Sequence, residues 1–144
     1  MIPHSQRERM VLVDASAFFA SMDTTDQWHY QAVGGFERLA RDRRPFCATS
    51  LIVAATHALL VERANPTLGL RWLESISRVP VFLQREEHYP RIRAILNRQR
   101  VAGFSYSDAF AFVVMDELGT RTAFSFDHHF RDHHFRQYGW NMWG

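Results

Sequence analysis

Two short apolar runs in this chain each end in an aspartate: Val11-Leu12-Val13-Asp14 and Ala123-Phe124-Ser125-Phe126-Asp127. A run that is apolar at nearly every position suits a strand buried on both faces, and such strands belong to parallel sheets covered by helices. A third aspartate, Asp108, opens a helical run in Ser105-Tyr106-Ser107-Asp108. Open α/β sheets place their chemistry at the carboxyl ends of strands and at nearby helix starts. Three carboxylates gathered there, without a nucleophile motif, point to a site for a hard divalent cation.

The pattern between these runs supports the same architecture. Met10 to Asp14 reads as a strand and Ala15 to Ser21 as a short helix. A longer helix is predicted from Asp26 to about Asp42, with Asp26 as its cap and Ala32, Phe36, Leu39 and Ala40 on its apolar face. Arg44 to Ala48 is a candidate strand; Thr49 or Ser50 then caps a helix through Leu51, Ile52, Ala55, Ala58, Leu59 and Ala64. Asn65-Pro66 breaks that helix, and another follows from Thr67 to Ile76. Val79 to Leu83 reads as a strand and Glu86 to Gln99 as a helix with Ile92, Ile95 and Leu96 inward. Gly103 marks a turn. Ser107 or Asp108 starts the next helix, which Gly119 ends. Arg121 to Phe126 is a strand, and the aromatic tail Tyr138-Gly139-Trp140-Asn141-Met142-Trp143 is a candidate last one. Strands alternating with helices predict an α/β fold with a mostly parallel sheet covered on both faces.

At 144 residues the chain reads as a single domain, 1–144, long enough to bury about 68–70% of its unfolded surface. Its single cysteine, Cys47, excludes an internal disulfide and reads as a small buried hydrophobe in a reducing compartment. The segment Met1 to Met10 is polar and lacks the apolar core of a signal peptide. No apolar stretch approaches the roughly 18–20 residues of a membrane span. The expected location is the cytoplasm. Phe18, Phe19, Phe110, Phe112 and Phe124 sit in apolar patterns and are expected in the core.

All 17 basic residues are arginines, and the net charge is only +2. Two groups stand out: Arg38, Arg41, Arg43 and Arg44, and Arg91, Arg93, Arg98 and Arg100. Guanidinium forks match phosphate oxygens, so an RNA backbone is one reading of these groups and a solvated helix face the other.

Four pieces taken in order carry a resemblance over nearly the whole chain, from Val11 to about Trp140. They are Val13-Asp14-Ala15-Ser16, the helix opening Ala48-Thr49-Ser50-Leu51-Ile52-Val53-Ala54, the step Ser107-Asp108-Ala109, and Phe126-Asp127-His128-His129-Phe130. In these the chain resembles a PIN domain, specifically the ribonuclease toxin of the VapBC type of toxin–antitoxin module. The resemblance implies a single-domain α/β/α sandwich that cuts structured RNA, such as transfer or ribosomal RNA, with Mg²⁺ or Mn²⁺. It also implies homodimers and a cognate antitoxin that plugs the acidic pocket, commonly with an arginine.

Carried over residue by residue, the family's acids match Asp14, Asp108 and Asp127. A further acid, usually glutamate, belongs in the helix after the Thr-Ser opening, and that register falls on Ala55. Alanine binds no metal and moves no proton. Glu62 lies seven residues on, about 10 Å further along the axis. Three explanations stay open for Ala55: an introduced inactivating substitution, a natural loss, or a shifted register. Phosphodiester hydrolysis needs a nucleophilic water, charge relief on the phosphoryl oxygens and help for the leaving oxygen, which one or two Mg²⁺ ions can provide. Asp14 and Asp127 are the expected direct ligands, with Asp108 direct or acting through water, and Ser16 or Ser125 bonding a ligand or its water. The structural alternatives are a cap for Asp14, an N-cap for Asp108 and a turn for Asp127.

The tail offers a rival. Asp127-His128-His129-Phe130-Arg131-Asp132-His133-His134-Phe135 repeats with a five-residue period, and His129 and His133 share a helix face at a spacing that can hold Zn²⁺ or Ni²⁺. No cysteine completes such a site, so a polar turn beside the pocket is the competing reading, with His128 or Arg131 near a phosphate as a middle one. Trp28 and Trp72 read as core or as part of a groove for a partner helix. Asp116 and Glu117 read as a solvated helix end or as the pocket rim, and Asp23 and Asp26 as turn and cap. A receiver-like phospho-acceptor domain is excluded by the absence of lysine. A non-catalytic module that binds RNA or an antitoxin remains the alternative to a nuclease.

Overall fold

The computed structural model describes residues 2–127 together with 141 and 142. Five strands, β1 (Val11–Val13), β2 (Phe46–Thr49), β3 (Val81–Phe82), β4 (Thr122–Phe124) and β5 (Asn141–Met142), form one sheet in the order β3-β2-β1-β4-β5. Every pairing among the described residues is parallel; Leu12 stands opposite Cys47 on one side and Ala123 on the other. Among the described residues seven α-helices accompany them: α1 (His4–Arg7), α2 (Ala15–Met22), α3 (His29–Arg41), α4 (Ser50–Arg63), α5 (Pro66–Ser75), α6 (Tyr89–Arg98) and α7 (Tyr106–Leu118).

The connections explain the layers. From β1 to β2 to β3 the chain steps in one direction across the sheet, and from β3 it returns past β2 and β1 to β4. Right-handed crossovers therefore put α2 to α5 on one face and α6 and α7 on the other. Contacts follow this division: α2 packs on α3 and α4, α4 on α5, and α6 on α7. Val11, Leu12 and Val13 are fully buried, as a central parallel strand must be. Helix α7 is apolar around most of its girth and buried from Ala109 to Met115, so it lies inside the domain between the sheet and α6. Phe18, Phe19, Phe110, Phe112, Phe124 and Cys47 are all in the core. Phe18, Phe36, Phe46 and Trp72 form an aromatic cluster on the opposite face, with Phe18 and Trp72 edge-on at 5.2 Å.

Local chemistry sets the element ends. Thr49 caps α4 by accepting from the Ile52 amide at 3.1 Å, and Asn65 caps α5 in the same way at 2.8 Å, with Pro66 in its first turn. Gly119 ends α7 with φ +76°, a conformation that costs glycine little. Some boundaries differ from the sequence reading. Helix α7 starts earlier than Ser107, because Ser105 is its N-cap and Asp108 its third residue. Those two satisfy each other's orphan donors in a capping box. Asp26 does not cap α3; its Oδ1 accepts from the Trp28 amide at 2.8 Å and closes a turn before the helix. Glu86–His88 form a 3-10 turn ahead of α6, and β3 shrinks to two residues at the sheet edge. The short α1 carried no sequence signal. The aromatic tail supplies β5; Tyr138, Gly139, Trp140 and Trp143 lie outside the described residues.

Helix α3 approaches the sheet at Gly35, whose backbone lies against the Phe124 ring. A Cβ there would come within 2.8 Å of Phe124 Cε2 and closer still to Cζ. Gly35→Ala is therefore expected to destabilise the fold by about 1–3 kcal/mol, the usual cost of overpacking, despite alanine's better helix propensity. Urea unfolding checks this, with Gly34→Ala as the control because open space surrounds that position.

Candidate active site

The sheet's strand order divides between β1 and β4, with β2 and β3 on one side and β5 on the other. At such a switch point a crevice opens beyond the carboxyl ends of the strands. Asp14 directly follows β1 and Asp127 lies just past β4, one on each side of that crevice. Helix α7 precedes β4 and runs opposite to it, so its first turn, with Asp108, reaches the same end of the sheet.

Asp14 stands at the N-cap of α2 but does not cap it through its side chain. Its Oδ2 accepts from Ser16 Oγ and Ser125 Oγ, both at 3.0 Å. Each serine in turn accepts a backbone amide, Phe126 N on Ser16 Oγ at 2.9 Å and Asp127 N on Ser125 Oγ at 3.1 Å. A hydroxyl has one proton to donate. With both given to Asp14, the 3.2 Å approach between the two serine oxygens carries no hydrogen bond. The network ties α2's first turn to the segment after β4 and holds the backbone of Asp127.

Burial raises the Asp14 carboxyl above its usual range; the two hydroxyls and the Ala15 amide partly offset this, and Asp127 adds to the rise. Asp108 is half-buried, and desolvation is the main reason its carboxyl is pushed up to about 6. Ser105 opposes this through its amide, 2.9 Å from Asp108 Oδ2, and its hydroxyl at 3.1 Å, while Asp14 and Asp127 reinforce it. The three aspartates predicted from sequence are thus within electrostatic reach of one another.

Among the described residues, no three His, Cys, Asp or Glu side chains stand together as a ready-formed metal cluster. The donor set nonetheless suits a hard cation. Mg²⁺ takes one or two direct carboxylates and keeps several waters, and positive charge would offset the desolvation, and the smaller mutual repulsion, that lift Asp14 and Asp108. Ala55 is exposed in the second turn of α4, a helix that opens at the carboxyl end of β2 and packs on α2. Its neighbour Thr56 is buried and donates to Ile52 O at 2.8 Å. Glu62 is exposed two turns on.

Other candidates fall elsewhere. Asp116 and Glu117 sit at the far end of α7, where Arg91 reaches them at 2.7 and 3.3 Å and His88 meets Glu117 at 3.1 Å. They do not join the acids. Arg38 to Arg44 surround the end of α3 and the approach to β2, at the amino end of the sheet, away from the crevice. Arg44 is structural there, donating to Arg9 O and Thr122 Oγ1. Since Arg91 pairs with the end of α7, α6 and α7 are antiparallel, which puts Arg98, the last residue of α6, toward the start of α7; the Arg100 guanidinium, beyond the helix, bonds Asn97. Trp72 is buried in the core, whereas Trp28 stacks on Phe126 beside Asp127 at 5.3 Å. No sequence periodicity signals that pairing. His128, His129, Phe130, Arg131, Asp132, His133, His134 and Phe135 lie outside the described residues.

The fold is the α/β/α architecture that the resemblance to PIN domains implied. Among solved structures, the chain is similar to VapC20 of Mycobacterium tuberculosis, a toxin that cleaves the sarcin-ricin loop. The TM-score is 0.71 over 84% of this chain and 92% of that one, at 24% sequence identity. No family model matches the sequence, and no curated protein matches it.

A carboxyl with a higher pKa in the folded chain than in the unfolded one binds more protons when folded, so stability falls as pH rises through the interval between the two values. For Asp108 that interval runs from 3.8 to about 6. Asp108→Asn is expected to flatten the loss of stability across this window and to stabilise the protein at pH 7 by about 1 kcal/mol after allowance for solvent screening. Thermal unfolding at pH 4.5 and 7 checks it; a parent that gains stability with pH over this range would contradict the assignment.

Proposed function

We propose that the chain is a metal-dependent endoribonuclease toxin of a type II toxin–antitoxin module, attenuated by alanine at position 55. The observation that carries this reading is the convergence of three mutually repelling carboxylates, Asp14, Asp108 and Asp127, at the switch point of the sheet. The fold shared with a sarcin-ricin loop cleaving toxin supports it and makes ribosomal RNA the first substrate to try, with transfer RNA next.

Asp14 and Asp127 would hold Mg²⁺ or Mn²⁺, with Asp108 acting through water. When bound, the cation supplies Lewis-acid relief for the phosphoryl oxygens and lowers the pKa of the attacking water. The serine pair fixes Asp14 in one orientation. Asp108, within electrostatic reach of the other two acids, would orient a water of the bound cation. Arg98, at the end of α6 toward the start of α7, would meet the RNA backbone.

A groove of about 290 Å³ between α2, α3 and α5, lined by Phe18, Met22, Phe36, Phe46 and Trp72, suits the apolar face of an antitoxin helix. An antitoxin arginine would then complement the acids. Homodimerisation and action in the cytoplasm follow from the same reading. Among the described residues no helix is long and apolar enough to cross a membrane.

A second reading, a module that binds RNA or antitoxin without cutting, is favoured by the exposed methyl of Ala55 where a carboxylate is expected. The two part on one experiment: ribosomes and total transfer RNA incubated with Mn²⁺ or EDTA, using the parent and Ala55→Glu. The nuclease reading expects cation-dependent cleavage by Ala55→Glu at least about 10²-fold faster than by the parent, the usual contribution of a positioned acid–base group. It also expects Asp14→Asn in that background to abolish cleavage. Silence from Ala55→Glu on both RNAs would decide for the binding module.

A further inference from the structure

Asp127 projects from a segment that has left the strand ladder, so something other than sheet hydrogen bonds must hold its direction. The serine network supplies two ties, at the Phe126 and Asp127 amides. The residue between Ser125 and Asp127 supplies a third. The Phe126 ring lies flat against Trp28, with centroids 5.3 Å apart and planes 4° from parallel. On another side it meets Phe124 edge-on at 5.7 Å, and Phe124 in turn packs on Phe36 at 5.1 Å. Phe126 is therefore held between the core and one indole.

That indole is itself firmly carried. Asp23 Oδ1 accepts from both the amide and the hydroxyl of Thr25, at 2.9 and 2.7 Å. The Asp26 amide donates to Asp23 O at 3.0 Å, Asp26 Oδ1 accepts from the Trp28 amide, and the His29 amide donates back to Asp26 O at 3.1 Å. His29 Nδ1 meets Ala20 O at 2.7 Å, which anchors the start of α3 to α2. The turn from Asp23 to Trp28 is thus a braced arm that ends in a ring. Trp28 is half-buried, unlike Trp72, which the core encloses.

We propose that Trp28 is a positioning residue for Asp127, acting through the stacked ring of Phe126. This rests on the reading of Asp127 as a site acid. Pinning the ring fixes the backbone from which the carboxylate projects, so Trp28 would set the acid's aim without touching cation or RNA. Partners of this kind are worth about 10–100-fold in metal affinity when they orient a ligand.

Two readouts separate this proposal from the functional reading beneath it. The first is amide hydrogen exchange by NMR at Phe126 and Asp127 in Trp28→Ala, Trp28→Phe and the parent, with Leu12 and Ala123 in the β1–β4 ladder as controls. Trp28→Ala is expected to speed exchange at Phe126 and Asp127 about tenfold and leave the controls unchanged, since opening is local. Trp28→Phe keeps a flat ring and is expected to stay near the parent. The second readout is Mn²⁺ affinity by calorimetry in the Ala55→Glu background, where Trp28→Ala is expected to lose about tenfold and Trp28→Phe little. Unchanged exchange at the two amides in Trp28→Ala overturns the proposal whatever the metal does, as does a uniform rise that includes the controls. If Trp28→Ala does not fold, Phe126→Leu must give the same local rise, and its failure to do so overturns the proposal. If Ala55→Glu holds no Mn²⁺ while exchange rises locally, positioning stands and the metal-dependent nuclease reading falls.

Discussion

A single oxygen, Oδ2 of Asp14, takes the protons of two serine hydroxyls, and the geometry of the acidic crevice depends on it. A buried carboxylate without partners would cost several kcal/mol or lose its charge. Here Ser16 comes from the first turn of α2 and Ser125 from the chain leaving β4, so satisfying Asp14 also joins the two strands across which the crevice opens. Because each serine then accepts an amide from Phe126 or Asp127, every proton in the network has one destination. Removing either serine would leave both a carboxylate oxygen and a backbone amide short of a partner, the arrangement in which buried polar networks are most sensitive.

The domain sorts its charges by end. At the far end of α7, Arg91 pairs with Asp116 and Glu117, and His88 hydrogen-bonds Glu117. His88 accepts the Arg85 amide on Nδ1 at 3.0 Å, so a neutral ring carries its proton on Nε2 and donates it to Glu117. At the amino end of the sheet, Arg44 ties the chain before β1 to β4, and Thr120 donates to Met10 O. The carboxyl end holds the aspartates instead, with Asp14 and Asp108 both above their usual pKa range. Both carboxyls reduce stability at neutral pH.

Much of this was legible in the chain itself. The unbroken apolar runs ending in Asp14 and Asp127 predicted central parallel strands, and the sheet is parallel at every described pairing. Thr49, Asn65-Pro66 and Gly119 marked helix ends because each solves a local hydrogen-bonding or backbone problem that needs no distant partner. The misplaced starts of α3 and α7 have the same cause in reverse. Asp26 and Asp108 are both good caps, but Asp26 is engaged in a turn and Ser105 takes the cap position before Asp108. Periodicity cannot choose between two polar residues three positions apart.

What the sequence determined by itself was the class of fold, the buried aromatic core and the places of Asp14, Asp108 and Asp127 at strand and helix ends, because strand burial, helix capping and the end of an apolar run are local or short-range properties. What only the tertiary structure decided was which residues surround those acids. Ser125 reaches Asp14 across 111 positions of chain, and Trp28, in the turn before α3, stacks on Phe126 just past β4. The arginines at 38–44, open in sequence to an RNA-backbone or a solvated-face reading, fall at the opposite end of the sheet because β2 must be entered from its amino side. Such relations depend on strand order and crossover handedness, and these emerge only when the helices pack.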